Sequence, residues 1–313
     1  SNVPDFNPNN RSGMSPEHFR NRSVTDVFEP GSTIKPFTIS MALASGRFSL
    51  ETPVSTSPGI HYVGRDPVRD IHDYGELTLG GVLVKSSNVG TAKIAMELAP
   101  EELYGILDKV GFGQATGIEL PGEADGSLLK RKRWRPIEHA TLSFGYGLSS
   151  TQVQLARAYA VLASGGMLRS VTLKRQSGTV PGKRVLSDQT TRQINTLLEQ
   201  VVSAQGTAKQ AAVPAYRVAG KTGTVHKVSP TGGYEADRYQ ALFVGFAPVS
   251  APRFVLAVMV DEPQGKYFGG EVAAPVFARI MADALRMRGI RPDADMDSGV
   301  TVVASMTPVG TGA

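Results

Sequence analysis

The sequence predicts an α+β fold, in which an antiparallel sheet is flanked by helices and joined to a mainly helical subdomain. Three observations carry this expectation. Apolar residues recur at helical spacing through most of the chain up to Ser203. After Val213 the character changes, and RVAGKTGTVHKV, YQALFVGFAPV and RFVLAVMVDEP read as strands separated by turn residues. The last two are joined only by Ser250-Ala251-Pro252, which makes them antiparallel neighbours. Helices first and a meander of strands last is the element order of an α+β domain.

In order, residues 1–27 are polar and rich in Asn, Arg and Ser, without a period. Ser32 to Arg47, STIKPFTISMALASGR, reads as a mostly buried helix. Residues 50–75, with Pro53, Pro58 and Pro67, read as loop. From Leu77 to Phe112, Val82, Val89, Ile94, Leu98, Leu103, Ile106 and Val110 keep helical spacing. Pro100-Glu101-Glu102 marks a fresh helix start there, because proline fits the first turn and acids favour it. Further helices are expected at Ser150–Ser164, closed by Gly165-Gly166, at Ser187–Ser203 and at Glu271–Arg288. A polar loop, Ser229 to Asp237, joins the first two strands. The helical subdomain is placed at 48–165 and the sheet-bearing part at 1–47 and 166–290, with 297–313 as a weakly ordered tail.

Composition narrows the chemistry. With 41% hydrophobic and 19% charged residues the 313-residue chain is an ordinary folded protein. The absence of cysteine removes disulfides and thiolate nucleophiles. The longest apolar runs, such as Phe254 to Val260, are too short to span a bilayer. No H-E-x-x-H occurs, and no metal or cofactor is expected. The net charge is +5, and Lys130-Arg131-Lys132-Arg133-Trp134-Arg135 is the dense basic run. It lacks the interleaved aromatics and module of a nucleic-acid reader, so nucleic acid is not an expected partner. A solvated loop is the plain reading of it, and contact with anionic lipid or glycan the alternative.

The stretch VAGKTGTVHK, Val218 to Lys227, resembles the end of a phosphate-binding loop. That motif requires a glycine where this chain has Ala215, and a helix where Val225-His226-Lys227-Val228 continues as strand. Lys221-Thr222-Gly223 is instead one of three linked motifs, with Ser32-Thr33-Ile34-Lys35 and Ser86-Ser87-Asn88 as the others. At ordinary residue frequencies S-x-x-K and S-x-N each occur about once by chance, and K-T-G roughly seven times in a hundred. A second S-x-x-K, Ser127 to Lys130, lies in a loop-like stretch and in the wrong order, and is read as a decoy.

Ser32 differs from Ser127 in what surrounds it. Pro36 would cost about 3 kcal/mol inside an established helix, so the helix must start within about a turn before it. Glu29-Pro30-Gly31 forms the turn, and Ser32 opens the helix near its unpaired N–H groups. Lys35 then lies on the same face as Ser32. A serine hydroxyl needs a base to become a nucleophile. A buried lysine serves if desolvation and a neighbouring cation pull its pKa down, which makes Lys35 the candidate base and Lys221 the neighbouring charge. Ser86 is the candidate proton relay, and Asn88 holds Lys35 and a substrate amide. Thr222 and Thr224 project from one face of their strand to meet a substrate carboxylate, and Gly223 between them permits close backbone approach. The backbone N–H groups of Ser32 and Thr224 form the candidate oxyanion hole, worth about 3 kcal/mol per donor.

The stretches DVFEPGSTIKPF, LVKSSNVG, TLSFGYGLSSTQVQLARAYA, VAGKTGT, LFVGFAPV and YFGG ahead of APVF span residues 26 to 277. Together they resemble the transpeptidase domain of class B penicillin-binding proteins, and within that family the septal cell-wall enzymes of Gram-negative bacteria. The resemblance implies the penicillin-binding/β-lactamase-like fold and a serine D,D-transpeptidase that cross-links stem peptides ending in D-Ala-D-Ala. It implies covalent capture of β-lactams on Ser32, and it supports the roles read above. It further implies that Tyr146, Tyr239, Tyr267 and Phe268 line the cleft, although plain packing would place aromatics there equally well. His226 stands where relatives often carry Lys or Arg, so local charge depends on pH. The family's anchor helix and pedestal module are not in this sequence, so the resemblance implies a catalytic piece of a longer chain. Location at the periplasmic face of the inner membrane and division-machinery partners, reached through those missing parts, are inherited from the resemblance alone. The competing readings are a non-catalytic penicillin-sensing or scaffold module and a β-lactamase. The first shares the motifs. The second is disfavoured by DVFEPGS and by the lack of a class A glutamate motif.

Overall fold

The computed structural model describes residues 2–294 apart from positions 6, 8, 230 and 231, so the expected tail lies outside the described residues. In chain order the elements are α1 (Arg22–Thr25), α2 (Lys35–Ala44), β1 (Pro53–Ser55), β2 (Ile60–Val63), β3 (Asp66–Arg69), β4 (Glu76–Thr78), α3 (Leu79–Lys85), α4 (Asn88–Met96) and α5 (Pro100–Lys109). They continue as α6 (Pro136–Ser143), α7 (Gln152–Ala163), β5 (Met167–Arg169), β6 (Gly182–Arg184), α8 (Asp188–Val202), β7 (Ala219–Val228), β8 (Tyr234–Ala247), β9 (Phe254–Asp261) and α9 (Gly269–Met287). The fold is α+β, as expected.

Strands β7, β8 and β9 form an antiparallel sheet with β8 in the middle. Lys221 pairs with Val244, Thr224 with Ala241, and Leu242 with Met259. Alternation along β8 decides what covers each face. Phe243 and Ala247 pack with Ala273, Ala274, Phe277 and Leu285 of α9, and the Phe243 and Phe277 rings meet edge to face at 4.7 Å. Leu242, Val244 and Phe246 join the opposite cluster, with Phe37 and Ile39 of α2 and Leu155, Tyr159 and Leu162 of α7. Each fully buried Leu or Phe contributes about 1.5–3 kcal/mol, so these contacts hold α2 and α7 on this face of the sheet. Tyr159, fully buried, donates its hydroxyl proton to the carbonyl of Thr33 at 2.9 Å, which ties α7 to the turn containing Ser32.

The structure departs from the sequence reading in several places. The helix expected from Ser32 begins as a 3₁₀ turn, Gly31–Ile34, becomes α-helical at Lys35 and ends at Ala44, where Gly46 at φ +71° turns the chain away. Residues 50–75 are not simple loop, since β1 pairs with β4 and β2 with β3. Those strands are three or four residues long and two of them contain a proline, tolerable only in such edge pieces. The loop between the first two strands is shorter than 229–237, because β8 starts at Tyr234 and runs for 14 residues. Helix α6 was not anticipated, although Pro136 in its first turn and Glu138 accepting the Arg135 N–H at 3.1 Å are ordinary start signals.

Candidate active site

The turn before Ser32 is wedged between two other segments. The Gly31 N–H donates to Gly145 O at 3.1 Å, and a Cβ built on Gly145 would lie 2.0 Å from Gly31 O. On the other side, a Cβ on Gly31 would meet Val225 Cγ1 of β7 at 2.3 Å. Both glycines have positive φ, so only glycine satisfies the space and the backbone together. Ser32 is therefore held between the 145–147 loop and the sheet, at the start of a helical turn whose first N–H groups have no intrahelical partner. Its hydroxyl has no hydrogen-bond partner among the described residues, and Lys35 points its amino group elsewhere.

Lys35 and Lys221 are both fully buried, and they meet at one serine. Lys35 Nζ donates to Ser86 O at 2.5 Å and to Asn88 Oδ1 at 2.7 Å, and lies 3.2 Å from Ser86 Oγ, whose hydroxyl can donate to the amine lone pair. Lys221 Nζ donates to Ser86 Oγ at 2.9 Å and to Thr222 O at 3.2 Å. Ser86 ends α3 in the left-handed region, φ 62° and ψ 35°, which costs a non-glycine residue about 1–2 kcal/mol. That strained turn is what aims both the carbonyl and the hydroxyl of Ser86 at the lysines. Burial drives the Lys35 pKa well below the ordinary lysine value, the Lys221 charge lowers it further, and Asp70 opposes. Burial pushes the Lys221 pKa down to about 7. Two protonated amines cannot share this pocket cheaply, so Lys35 is the neutral member and Lys221 the cation.

The K-T-G segment occupies β7. Thr222 Oγ1 bonds Thr207 Oγ1 at 3.0 Å, and Thr224 Oγ1 accepts from the Gly269 N–H at 3.0 Å. A Cβ on Gly223 would lie 3.0 Å from Thr33 Cγ2, 3.2 Å from Leu242 Cβ and 3.2 Å from Pro30 O. The close approach at Gly223 thus admits the turn that carries Ser32. The second S-x-x-K is not helical, because Ser127 forms an isolated bridge with Ser149 and Lys130 is exposed.

The aromatics fall into two groups. Tyr239 stacks on Tyr267 at 4.3 Å, Tyr267 meets Phe268 at 4.5 Å, and His226 joins Tyr239 at 4.4 Å. Tyr146 stands with Phe144 and Tyr234, at 5.8 and 5.7 Å. Glu29, in the turn ahead of Ser32, links this second group by accepting the Gly147 N–H at 2.7 Å and the Tyr234 hydroxyl at 2.9 Å. Burial raises the Glu29 pKa against those two bonds, and burial with the Glu29 charge pushes the Tyr146 pKa up to about 12.

A family model described as the penicillin-binding protein transpeptidase domain matches residues 1–282. The chain belongs to that transpeptidase family. The transpeptidase domain is 44% identical over 295 residues to the peptidoglycan D,D-transpeptidase FtsI of Escherichia coli K12, covering 94% of this chain and 50% of the relative. It is 43% identical over 299 residues to the probable peptidoglycan D,D-transpeptidase PbpC of Pseudomonas aeruginosa, covering 95% and 53%. The apo transpeptidase domain of Burkholderia pseudomallei penicillin-binding protein 3 superposes with a TM-score of 0.84 at 48% identity, covering 88% of this chain and 84% of that one. The domain spans about half the length of the curated relatives it matches. Among the described residues no helix is long and apolar enough to cross a membrane.

Two residues bonded to the candidate site were not singled out in the sequence, Tyr234 and Asp70. Tyr234 lay within a stretch read as loop. Asp70 lies just past β3, far from any motif, and its carboxylate accepts from Ser87 Oγ and the Asn88 N–H, each at 2.5 Å, and from the Val89 N–H at 3.1 Å. It thereby caps α4 and fixes the S-S-N turn against Lys35. Because its charge raises the Lys35 pKa, Asp70→Asn should move the acid limb of the acylation rate to lower pH. It should also slow acylation by loosening the turn. A pH–rate profile for penicillin acylation checks this, and an acid limb that stays put contradicts it.

Proposed function

We infer that this domain is a serine D,D-transpeptidase that works through an acyl-Ser32 intermediate and is trapped by β-lactams. The supporting observation is the meeting of two buried lysines at the Ser86 hydroxyl, next to the turn that holds Ser32. Ser32 Oγ attacks the carbonyl of the penultimate D-Ala of a stem peptide while its proton passes to neutral Lys35. The oxyanion forms toward the Ser32 and Thr224 N–H groups. The C–N bond then breaks, and the departing D-Ala amine takes a proton through Ser86, whose hydroxyl bridges the two lysines. The amine of a neighbouring stem then attacks the ester and gives its proton to Lys35, which passes it to the departing Ser32 Oγ, so that a new peptide bond forms and the serine hydroxyl and neutral Lys35 are restored. Protonated Lys221, with Thr222 and Thr224, holds the terminal carboxylate. Asn88, besides orienting Lys35, faces the donor amide, and the stacked Tyr239, Tyr267 and Phe268 bound the cleft.

The relatives are named as peptidoglycan D,D-transpeptidases, which supports peptidoglycan as the substrate, and a place at the periplasmic face of the inner membrane beside division proteins is proposed from the family resemblance alone. The test supplies a D-Ala-D-Ala donor peptide together with an amine acceptor and follows the product by mass. Transfer to the amine, and a long-lived penicillin adduct, are expected. Acylation without transfer would mark a sensing or scaffold module, and rapid penicillin turnover a β-lactamase.

A further inference from the structure

The basic run noted in the sequence, Lys130 to Arg135, is a held surface beside the loop that contains Tyr146 and Gly147. At its near end Ser127 exchanges backbone hydrogen bonds with Ser149, at 2.8 and 2.9 Å. In its middle Trp134 packs onto the main core, with the Arg131 guanidinium 6.0 Å over its ring. At its far end Glu138 holds the Arg135 N–H at 3.1 Å. A small cavity of about 40 Å³ has Leu128, Arg131 and Trp134 on one side and Tyr146 and Gly147 on the other. Gly147 is the residue bonded to Glu29, in the turn that leads into Ser32. The basic run and the turn carrying Ser32 therefore lean on the same loop, residues 145–147.

The charges on this surface are unbalanced. Glu138 serves both Arg131, at 3.5 Å, and Arg135, at 2.9 Å. Lys130, Lys132 and Arg133 are exposed and have no carboxylate partner among the described residues. Three uncompensated cations on an anchored loop attract anions more strongly than the same charges on a free tail, since less chain entropy is lost on binding. Trp134 is turned inward onto the core, so it is not presented to a bilayer. The occupant favoured by this position is an extension of whatever peptide reaches Ser32.

We propose that Lys130, Lys132 and Arg133 form a subsite for side-chain carboxylates of an acidic peptide whose terminus lies at Ser32. The proposal rests on the transpeptidase reading and names the part of the substrate that lies beyond its last two residues. It makes the domain select acidic peptides over neutral ones, through an interaction that salt weakens.

The test uses two peptides ending in D-Ala-D-Ala, one with two free side-chain carboxylates and one with both amidated. Each competes with a fluorescent penicillin for Ser32, in the unchanged protein and in the triple variant Lys130→Gln, Lys132→Gln, Arg133→Gln. In the unchanged protein at low salt the acidic peptide should half-protect Ser32 at a concentration on the order of tenfold below the amidated one. That preference should collapse in the variant and at high salt, while penicillin labelling without peptide, which reports folding and the nucleophile, stays within about twofold. Equal protection by both peptides, or a preference that survives in the variant, overturns the subsite and leaves the transpeptidase reading intact. Failure of both peptides to protect, with labelling intact, overturns both. Binding to phosphatidylglycerol vesicles that is lost in the variant, with the peptide preference unchanged, assigns the surface to a membrane and overturns the proposal.

Discussion

Ser32→Ala is expected to abolish covalent labelling by a fluorescent penicillin, whereas Ser127→Ala should label like the unchanged protein. Both serines begin an S-x-x-K, and only their settings differ. Ser32 opens a helical turn clamped by Gly31, Gly145 and Val225, with a fully buried lysine three residues on. Ser127 sits in a β-bridge, and its Lys130 is exposed. Deleting a catalytic serine removes roughly 10⁶ of rate, so no adduct should appear on any practical timescale. Intact-mass measurement on both variants decides the matter. Residual adduct in Ser32→Ala would mean that another nucleophile carries the chemistry.

Lys35→Ala should slow acylation by roughly 10²–10⁴, the usual contribution of a positioned base. The pH dependence separates this role from a structural one. Acylation requires neutral Lys35, so the rate rises with pH through its lowered pKa. It also requires charged Lys221 and falls as that group deprotonates, from about 7 upward. Lys221→Ala removes the cation that depresses Lys35, so the acid limb should shift to higher pH as well as the rate falling. Stability carries the same signature. Between its folded pKa of about 7 and the ordinary lysine value near 10.4, Lys221 binds fewer protons folded than unfolded. Its contribution therefore makes stability rise with pH across that window, and Lys35 adds in the same direction. Denaturant midpoints that fall between those two values for the unchanged protein relative to Lys221→Ala would contradict the assignment.

How much of this was written in the sequence depends on the range of the interaction. The sheet was legible because β7, β8 and β9 are long and their apolar alternation faces two different cores. Helix starts at Pro100 and Ser187 were legible because capping is local chemistry. The strand pairs within 53–78 were not, since strands of three or four residues leave too little period to read. The three motifs named the lysines, but not their arrangement. That Ser86 adopts a left-handed conformation, that Asp70 caps the S-S-N turn, and that Gly223 makes room for the Ser32 turn follow from contacts between segments remote in sequence. Glu29 stood in a quoted stretch, yet its bond to Tyr234 spans 205 positions, and no local pattern announces it.

The mechanism requires Lys35 to be a neutral base inside the folded, substrate-free protein. Nitrogen-15 NMR of the lysine side-chain amines, with Lys35 assigned through Lys35→Arg, measures this directly across a pH titration. The Lys35 amine is predicted to lose its proton far below the ordinary lysine value near 10.4, while still adjacent to a charged Lys221. A Lys35 amine that stays protonated until that ordinary value would contradict the mechanism outright.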